Sequence, residues 1–248
     1  MTQPVRRPRH LPLEGTRNLR DIGGYPAANG RQTRWGTLFR SDCPDRLSPA
    51  GQTWLLDANL RTVIDLRDRE EVAERPNIFA DSLRVRYRHL PLFDGPPPDA
   101  VPPELDVGYW RILEGRQPRV RAVFEALVEP DALPALIHCH AGKDRTGVIV
   151  ALALAAVGVP HPTVAADYAL SATCLGAPYV EETRAWFTLK GWSWEDYGHL
   201  AGAPAELMLA LLSQVDRRYG SVPGYLTSIG LSPGQLERLR ELLTEAAD

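Results

Sequence analysis

A cysteine at position 139 and an arginine at position 145, with five residues between them, stand in the run HCHAGKDRTG, residues 138–147. A thiolate is a strong nucleophile, and a guanidinium offers a planar fork that grips two phosphate oxygens at once. On a tight loop, Cys139 and Arg145 can hold a phosphoryl group over the sulfur. Gly142 permits close backbone approach, so loop N–H groups can converge on the same anion. That positive field favours Cys139 as thiolate. Thr146 adds a hydroxyl that can hydrogen-bond the sulfur and stabilise it as a leaving group.

The flanking residues supply the elements that such a loop needs. Ala135, Leu136 and Ile137 form a short apolar run that predicts a buried strand, and Val148 to Val157 predicts a buried helix. The loop therefore leads from a strand end into a helix N-terminus, where unpaired N–H groups and the positive dipole end favour an anion. A cysteine at a strand end can also be a small packing residue and nothing more. The strand before it, the helix after it, and the glycine, lysine, arginine and threonine around it favour a phosphate loop.

HCHAGKDRTG resembles the signature loop of the cysteine-dependent protein tyrosine phosphatase superfamily. Its Lys143-Asp144-Arg145 run resembles the bacterial branch of atypical tyrosine and phosphoinositide phosphatases. NLRDIGGY (18–25), LFRSD (38–42), VIDLR (63–67), DYALS (167–171) and YGSVPGYL (219–226) are similar to segments of that branch, so the resemblance covers nearly the whole chain. It implies hydrolysis of a phosphate monoester through a cysteinyl-phosphate on Cys139. Arg145 would stabilise the equatorial oxygens, and His140, Ala141, Gly142, Lys143 and Thr146 would complete the phosphate-binding loop. A phosphorylated protein is the first expected substrate, on phosphotyrosine. A phosphoinositide or dual-specificity activity, or a non-catalytic phosphate-binding module, is the alternative. A sulfurtransferase also places a cysteine in an anion loop, but the Arg145-Thr146-Gly147 ending argues against it.

Protonation of the leaving oxygen needs an acid. Asp144, inside the loop, is the first candidate, and the resembled branch carries an aspartate there. Asp94 stands about where many tyrosine phosphatases place their acid, without the tryptophan-proline-aspartate pattern of that loop. Asp65 lies near a strand end and is third. Lys143 would put a second positive charge at the pocket floor or rim, which in the resembled families goes with tolerance for phosphoinositides. The opening segments lie close to the phosphate loop in that family, so Arg20, Asp21 and Arg40 are read either as pocket residues or as a structural ion-pair set.

Composition bounds the rest. The chain has 248 residues, 44% hydrophobic and 24% charged, with a net charge of −3. That fits one α/β domain and gives no reason to expect nucleic acid. No apolar run is long enough to span a bilayer, and the N-terminus lacks the apolar core of a secretory signal. Cys43, Cys139 and Cys174 make no disulfide framework and fit a reducing, cytoplasmic setting. Cys43 or Cys174 would serve as a resolving partner for an oxidised Cys139, or simply pack. His138 and His140 alone do not make a metal site, and no cofactor is expected.

Strands alternating with helices predict an α/β fold, with a mostly parallel central sheet flanked by helices. Its ligand site should lie at the C-terminal strand ends. Residues 1–13 read as an extended arm. Residues 18–25 and 34–40 read as strands joined around Asn29-Gly30, and 62–66 and 84–92 as further strands. Helices are predicted from Ser48-Pro49 and over 70–74, 107–113, 120–128, 163–171 and 179–189. Another carries Met208 to Tyr219, and Ser232-Pro233-Gly234-Gln235 opens the last. Residues 94–103 read as a loop. Residues 172–204, with Trp192, Trp194 and Tyr197, form either a lid over the site or the core of a helical hairpin.

Overall fold

A computed structural model describes residues 7–94 and 104–247. The strands are β1 (Arg20–Asp21), β2 (Pro26–Ala27), β3 (Arg31–Thr33), β4 (Leu38–Ser41), β5 (Thr62–Asp65), β6 (Arg86–His89), β7 (Ala135–His138) and β8 (Thr244–Ala246). Five of them form the central sheet in the order β1-β4-β7-β5-β6. The β4-β7, β7-β5 and β5-β6 pairs are parallel and only β1 runs antiparallel, at one edge. The expected mostly parallel sheet is present.

The helices are α1 (Pro49–Asp57), α2 (Arg69–Glu74), α3 (Leu105–Gly115), α4 (Gln117–Val128), α5 (Asp144–Ala156), α6 (His161–Leu189), α7 (Trp194–Tyr197), α8 (Ala205–Tyr219), α9 (Val222–Ser228) and α10 (Pro233–Leu243). The pleat of the strands divides them between two faces. Phe39, Val63 and Leu136 face a smaller cluster with Leu55 of α1. Leu38, Ile64 and Ile137 face the main core, built with α3, α4, α5, α8, α9 and α10. Helix α5 is buried along almost its whole length, as its apolar circumference requires. It is the central rod of the main core, and its N-terminus follows directly on the loop of residues 139–143.

Several elements depart from the sequence reading. The strand expected over 18–25 is two residues of β1 followed by a bend. Asn29 and Gly30, at φ 59° and 65°, close a separate hairpin of β2 and β3 with the positive dihedrals that such a tight turn demands. That hairpin pairs with β8 in a second, three-stranded sheet. The last helix therefore stops at Leu243, and the chain turns into a strand. Helix α9 was not expected. The helices read over 163–171 and 179–189 run together as α6, broken at Gly176, whose φ of 63° and ψ of −167° interrupt the helical backbone. Of the loop expected over 94–103, residues 95–103 lie outside the described residues, as do residues 1–6 of the arm. Residues 7–13 lie against β1, where Leu11 N donates to Leu19 O. No helix among the described residues is long and apolar enough to cross a membrane.

Candidate active site

Strand β7 ends at His138 and α5 begins at Asp144, so Cys139 to Lys143 form the connecting loop at a C-terminal strand end. Cys139 is buried, 2% exposed. Gly142 has φ 65°, and a Cβ there would lie 2.2 Å from Ser41 O. Only glycine fits a turn this close to the β4 backbone. The loop carbonyls are tied to neighbouring strands. His140 O accepts from Cys43 N at 2.9 Å. Ala141 O and Gly142 O accept from Asn18 Nδ2 at 2.9 and 3.1 Å, and Gly142 O also accepts from Arg40 Nη2 at 2.8 Å. With its carbonyl edge bonded outward, the loop presents its amide edge for an anion.

Arg145 sits on the first turn of α5. Its Nη1 and Nη2 donate to the two carboxylate oxygens of Glu71 at 2.5 and 2.6 Å. Glu71 is the third residue of α2, where its carboxylate also accepts from Asp68 N while Asp68 Oδ1 accepts from Glu71 N. This reciprocal cap fixes the Glu71 rotamer, and Glu71 in turn fixes Arg145. Burial would raise the Glu71 pKa, but the hydrogen bonds and charge of Arg145 outweigh it and hold it at about 2. Thr146 is wholly buried, and its Oγ1 has no hydrogen-bond partner among the described residues.

Asp144 Oδ1 accepts from the Tyr109 hydroxyl at 2.6 Å, and that hydroxyl lies 2.6 Å from the Tyr168 hydroxyl. Tyr109 has one proton to give. Donating it to Asp144 makes Tyr168 the donor to Tyr109. Burial first, then the Asp144 charge, pushes the Tyr109 pKa well up, so both phenols stay protonated donors.

The other two candidate aspartates are each engaged in an ion pair. Asp65 is fully buried and bonded to Arg67, with its Oδ2 2.7 Å from Arg67 Nη2 and 2.9 Å from the Tyr87 hydroxyl. Burial opposes its ionisation, but His138 and Arg67 together bring its pKa down to about 2. Asp94 is largely exposed and paired with Arg119 at 2.8 Å.

Lys143, expected to put a second positive charge at the pocket floor or rim, is engaged by the protein itself and lies 3.6 Å from Asp144 Oδ1. It is fully buried, and its Nζ donates to Leu200 O at 2.5 Å and Gly202 O at 2.8 Å. A buried ammonium must find acceptors, and these carbonyls end the turn that follows α7. His138 is buried against Asn77 and Asp65, its Nε2 2.7 Å from Asn77 Nδ2. His140 points outward, 3.4 Å from Arg75. Cys43 is buried, and burial raises its pKa to about 12, the opposite of what a resolving thiol requires. Asp21 bonds the Gly23 and Gly36 amides.

Fold and site together define a cysteine-dependent phosphate monoester hydrolase. The chain belongs to the tyrosine phosphatase family, whose model it matches over residues 11–245. It is 33% identical over 215 residues to a tyrosine-protein phosphatase of Nostoc commune, covering 81% of this chain and 72% of that one. It is 31% identical to the triple specificity protein phosphatase PtpB of Mycobacterium tuberculosis, covering 93% of this chain and 98% of that one. The crystal structure of P. aeruginosa TpbA overlays with a TM-score of 0.36 at 20% identity, over 56% of this chain and 72% of that chain, a likeness too distant to bear on function. The family read from HCHAGKDRTG and its flanking segments holds, and with it phosphotyrosine phosphatase activity.

The sequence reading missed Glu71, Tyr109 and Asn77. Asp68 and Glu71 have the spacing of a capping box, which was the readable signal, but nothing local says that the Glu71 carboxylate reaches Arg145. Asn18, Asp167 and Tyr168 lay inside quoted family segments without a role of their own.

Proposed function

We propose that Cys139 is the nucleophile, Arg145 the phosphate clamp and Asp144 the acid of a two-step hydrolysis. The Cys139 thiolate attacks phosphorus, forming an S–P bond as the ester P–O bond breaks. The Asp144 carboxyl gives its proton to the departing oxygen. Water then attacks phosphorus and passes a proton to Asp144 as the S–P bond breaks and the thiolate returns. Glu71 grips the Nη1–Nη2 edge of Arg145, leaving the Nε–Nη2 edge for two phosphate oxygens. Donors fixed in this way before reaction supply a large part of transition-state stabilisation. The unpartnered Thr146 hydroxyl is available to the sulfur as it becomes the leaving group. The bidentate hold of Glu71 on the arginine of this loop is the observation that carries the reading.

Phosphotyrosine in a protein is the first substrate. The Mycobacterium tuberculosis relative, a triple specificity protein phosphatase, supports a range wider than phosphotyrosine, and phosphoinositides stand second in this reading. The Lys143 ammonium argues for that order, because it is engaged by Leu200 and Gly202 rather than available to a further phosphate. The whole chain works as one phosphatase domain. The second half of α6 and the turn through residue 202 form a wall beside the site, joined to the opening segment by Arg17 and Glu182 at 2.8 Å. Its aromatic packing of Trp186, Phe187, Trp192 and Trp194 supports a stiff wall over a loose flap. Three free cysteines support a reducing cytoplasmic setting.

Phosphate release from phosphotyrosine and phosphoserine peptides and from inositol phospholipids, with wild type and Cys139→Ser, tests the reading. Release by wild type alone, greatest from phosphotyrosine and unchanged by a chelator, is expected. Release by Cys139→Ser at the wild-type rate would remove the nucleophile from this scheme.

A further inference from the structure

Behind the phosphate loop, on the side away from solvent, three charged side chains are buried to within 1% of full enclosure. They are Arg20 of β1, Arg40 of β4 and Asp167 of α6. Asp167 Oδ2 accepts from Arg40 Nη1 at 2.7 Å, and its Oδ1 lies 3.4 Å from Arg20 Nε and 2.9 Å from the Tyr25 hydroxyl. Arg20 Nη2 donates to Asp167 O and Ser171 Oγ at 2.9 and 3.0 Å. Two guanidinium groups against one carboxylate leave one positive charge. Surplus charge is costly inside a protein unless something nearby uses it.

That surplus is directed at the phosphate loop. Arg40 Nη2 reaches Gly142 O at 2.8 Å. Arg20 Nη1 donates to Asn18 Oδ1, which orients the Asn18 amide so that its Nδ2 holds the carbonyls of Ala141 and Gly142. Arg20 itself touches no loop atom in these contacts. Burial, then the like charge of Arg20, lowers the Arg40 pKa to about 10, while Asp167 and the Cys139 charge act in the opposite direction. Asp42, near the same corner, is bonded to the Arg17 and Asn18 amides instead.

We propose that Arg20, Arg40 and Asp167 are positioning residues that hold the phosphate loop from behind and whose single surplus positive charge strengthens its grip on the anion. They never contact substrate. They act through the loop carbonyls and through their field, which is only modestly screened at a buried site. This rests on the phosphate-loop reading given under Proposed function.

Charge balance separates this role from a merely structural one. Inorganic phosphate binding to the full chain is measured by calorimetry for wild type, Arg20→Gln, Asp167→Asn and the double variant. One unit charge about 10 Å away, at an effective dielectric near 20, is worth on the order of tenfold in affinity. Arg20→Gln should weaken phosphate binding by that order, and Asp167→Asn should tighten it. The double variant returns the cluster to one net positive charge and should bind within a few-fold of wild type. Asp167→Asn leaves two unpaired guanidiniums and is the variant most exposed to misfolding. The double variant removes that excess and keeps the test decisive. A double variant as weak as Arg20→Gln, or weaker, overturns the proposal. Wild type that binds no phosphate would instead overturn the loop reading beneath it.

Discussion

Replacing Glu71 by glutamine removes one charge and leaves nearly everything else in place. Glutamine can still accept from Asp68 N, so the cap of α2 survives. What is lost is the ionic hold on Arg145. The two side chains are 22% and 17% exposed, between an exposed pair worth up to about 1 kcal/mol and a buried one whose disruption costs about 3–5 kcal/mol. The fall of the Glu71 pKa from 4.5 to about 2 corresponds to about 3 kcal/mol, a ceiling given that exposure. A loss of about 1–3 kcal/mol of stability is expected, read as a lower urea midpoint. The sign with pH follows from the depressed pKa. The Glu71 contribution is fully present above pH 4.5 and is lost as pH falls through about 2. The gap between wild type and E71Q should therefore close on acidification. An unaimed Arg145 should lower kcat/KM for an aryl phosphate by about 10- to 100-fold, as misplacement of a clamp does. If stability falls while kcat/KM is unchanged, Glu71 serves the helix alone and the positioning argument fails.

Asp144→Asn should slow turnover of phenyl phosphates with poor leaving groups far more than those with good ones, and Tyr109→Phe should show a milder form of the same dependence. An equal loss across a leaving-group series would rule out Asp144 as the acid. Gly142→Ala should abolish phosphate binding, because its Cβ would meet Ser41 O at 2.2 Å. Retained binding would show that the loop can move. Lys143→Met removes two hydrogen bonds to the turn at 198–202, so amide exchange there should quicken by hydrogen-exchange mass spectrometry. Unchanged exchange would mean that the turn is held by its aromatic packing instead.

What could be read beforehand was what local spacing determines. Ala135 to Ile137, the loop and the start of α5 follow from an apolar run, a glycine and a helical run in sequence. Ser48 and Ser232 announced their helices because a cap is a contact over three residues, and both caps are present, with Ser48 bonded to Gly51 N and Ser232 to Gln235 N. The pieces that escaped depend on distant partners. Strand β8 exists because β3 is there to pair with it, about 210 residues earlier in the chain. Lys143 read as a charge at the pocket floor or rim, and nothing near it in sequence foretells its bonds to the carbonyls of Leu200 and Gly202. Arg20 and Arg40 looked equally suited to a pocket or to ion pairs. Both make ion pairs with Asp167, as the second reading had it, and Arg40 alone also reaches a loop carbonyl, that of Gly142. Gly176 permitted a break between two helices, and the backbone does break there.

The most direct test of the account is to trap the covalent intermediate. Wild type mixed with an aryl phosphate, quenched with acid on the millisecond scale and digested, should carry a phosphoryl adduct on the peptide containing Cys139. The adduct should be absent from Cys139→Ser and should accumulate when Asp144 is replaced by asparagine and the substrate has a good leaving group. An adduct on another residue, or rapid hydrolysis with no adduct at any time, would contradict the cysteinyl-phosphate route.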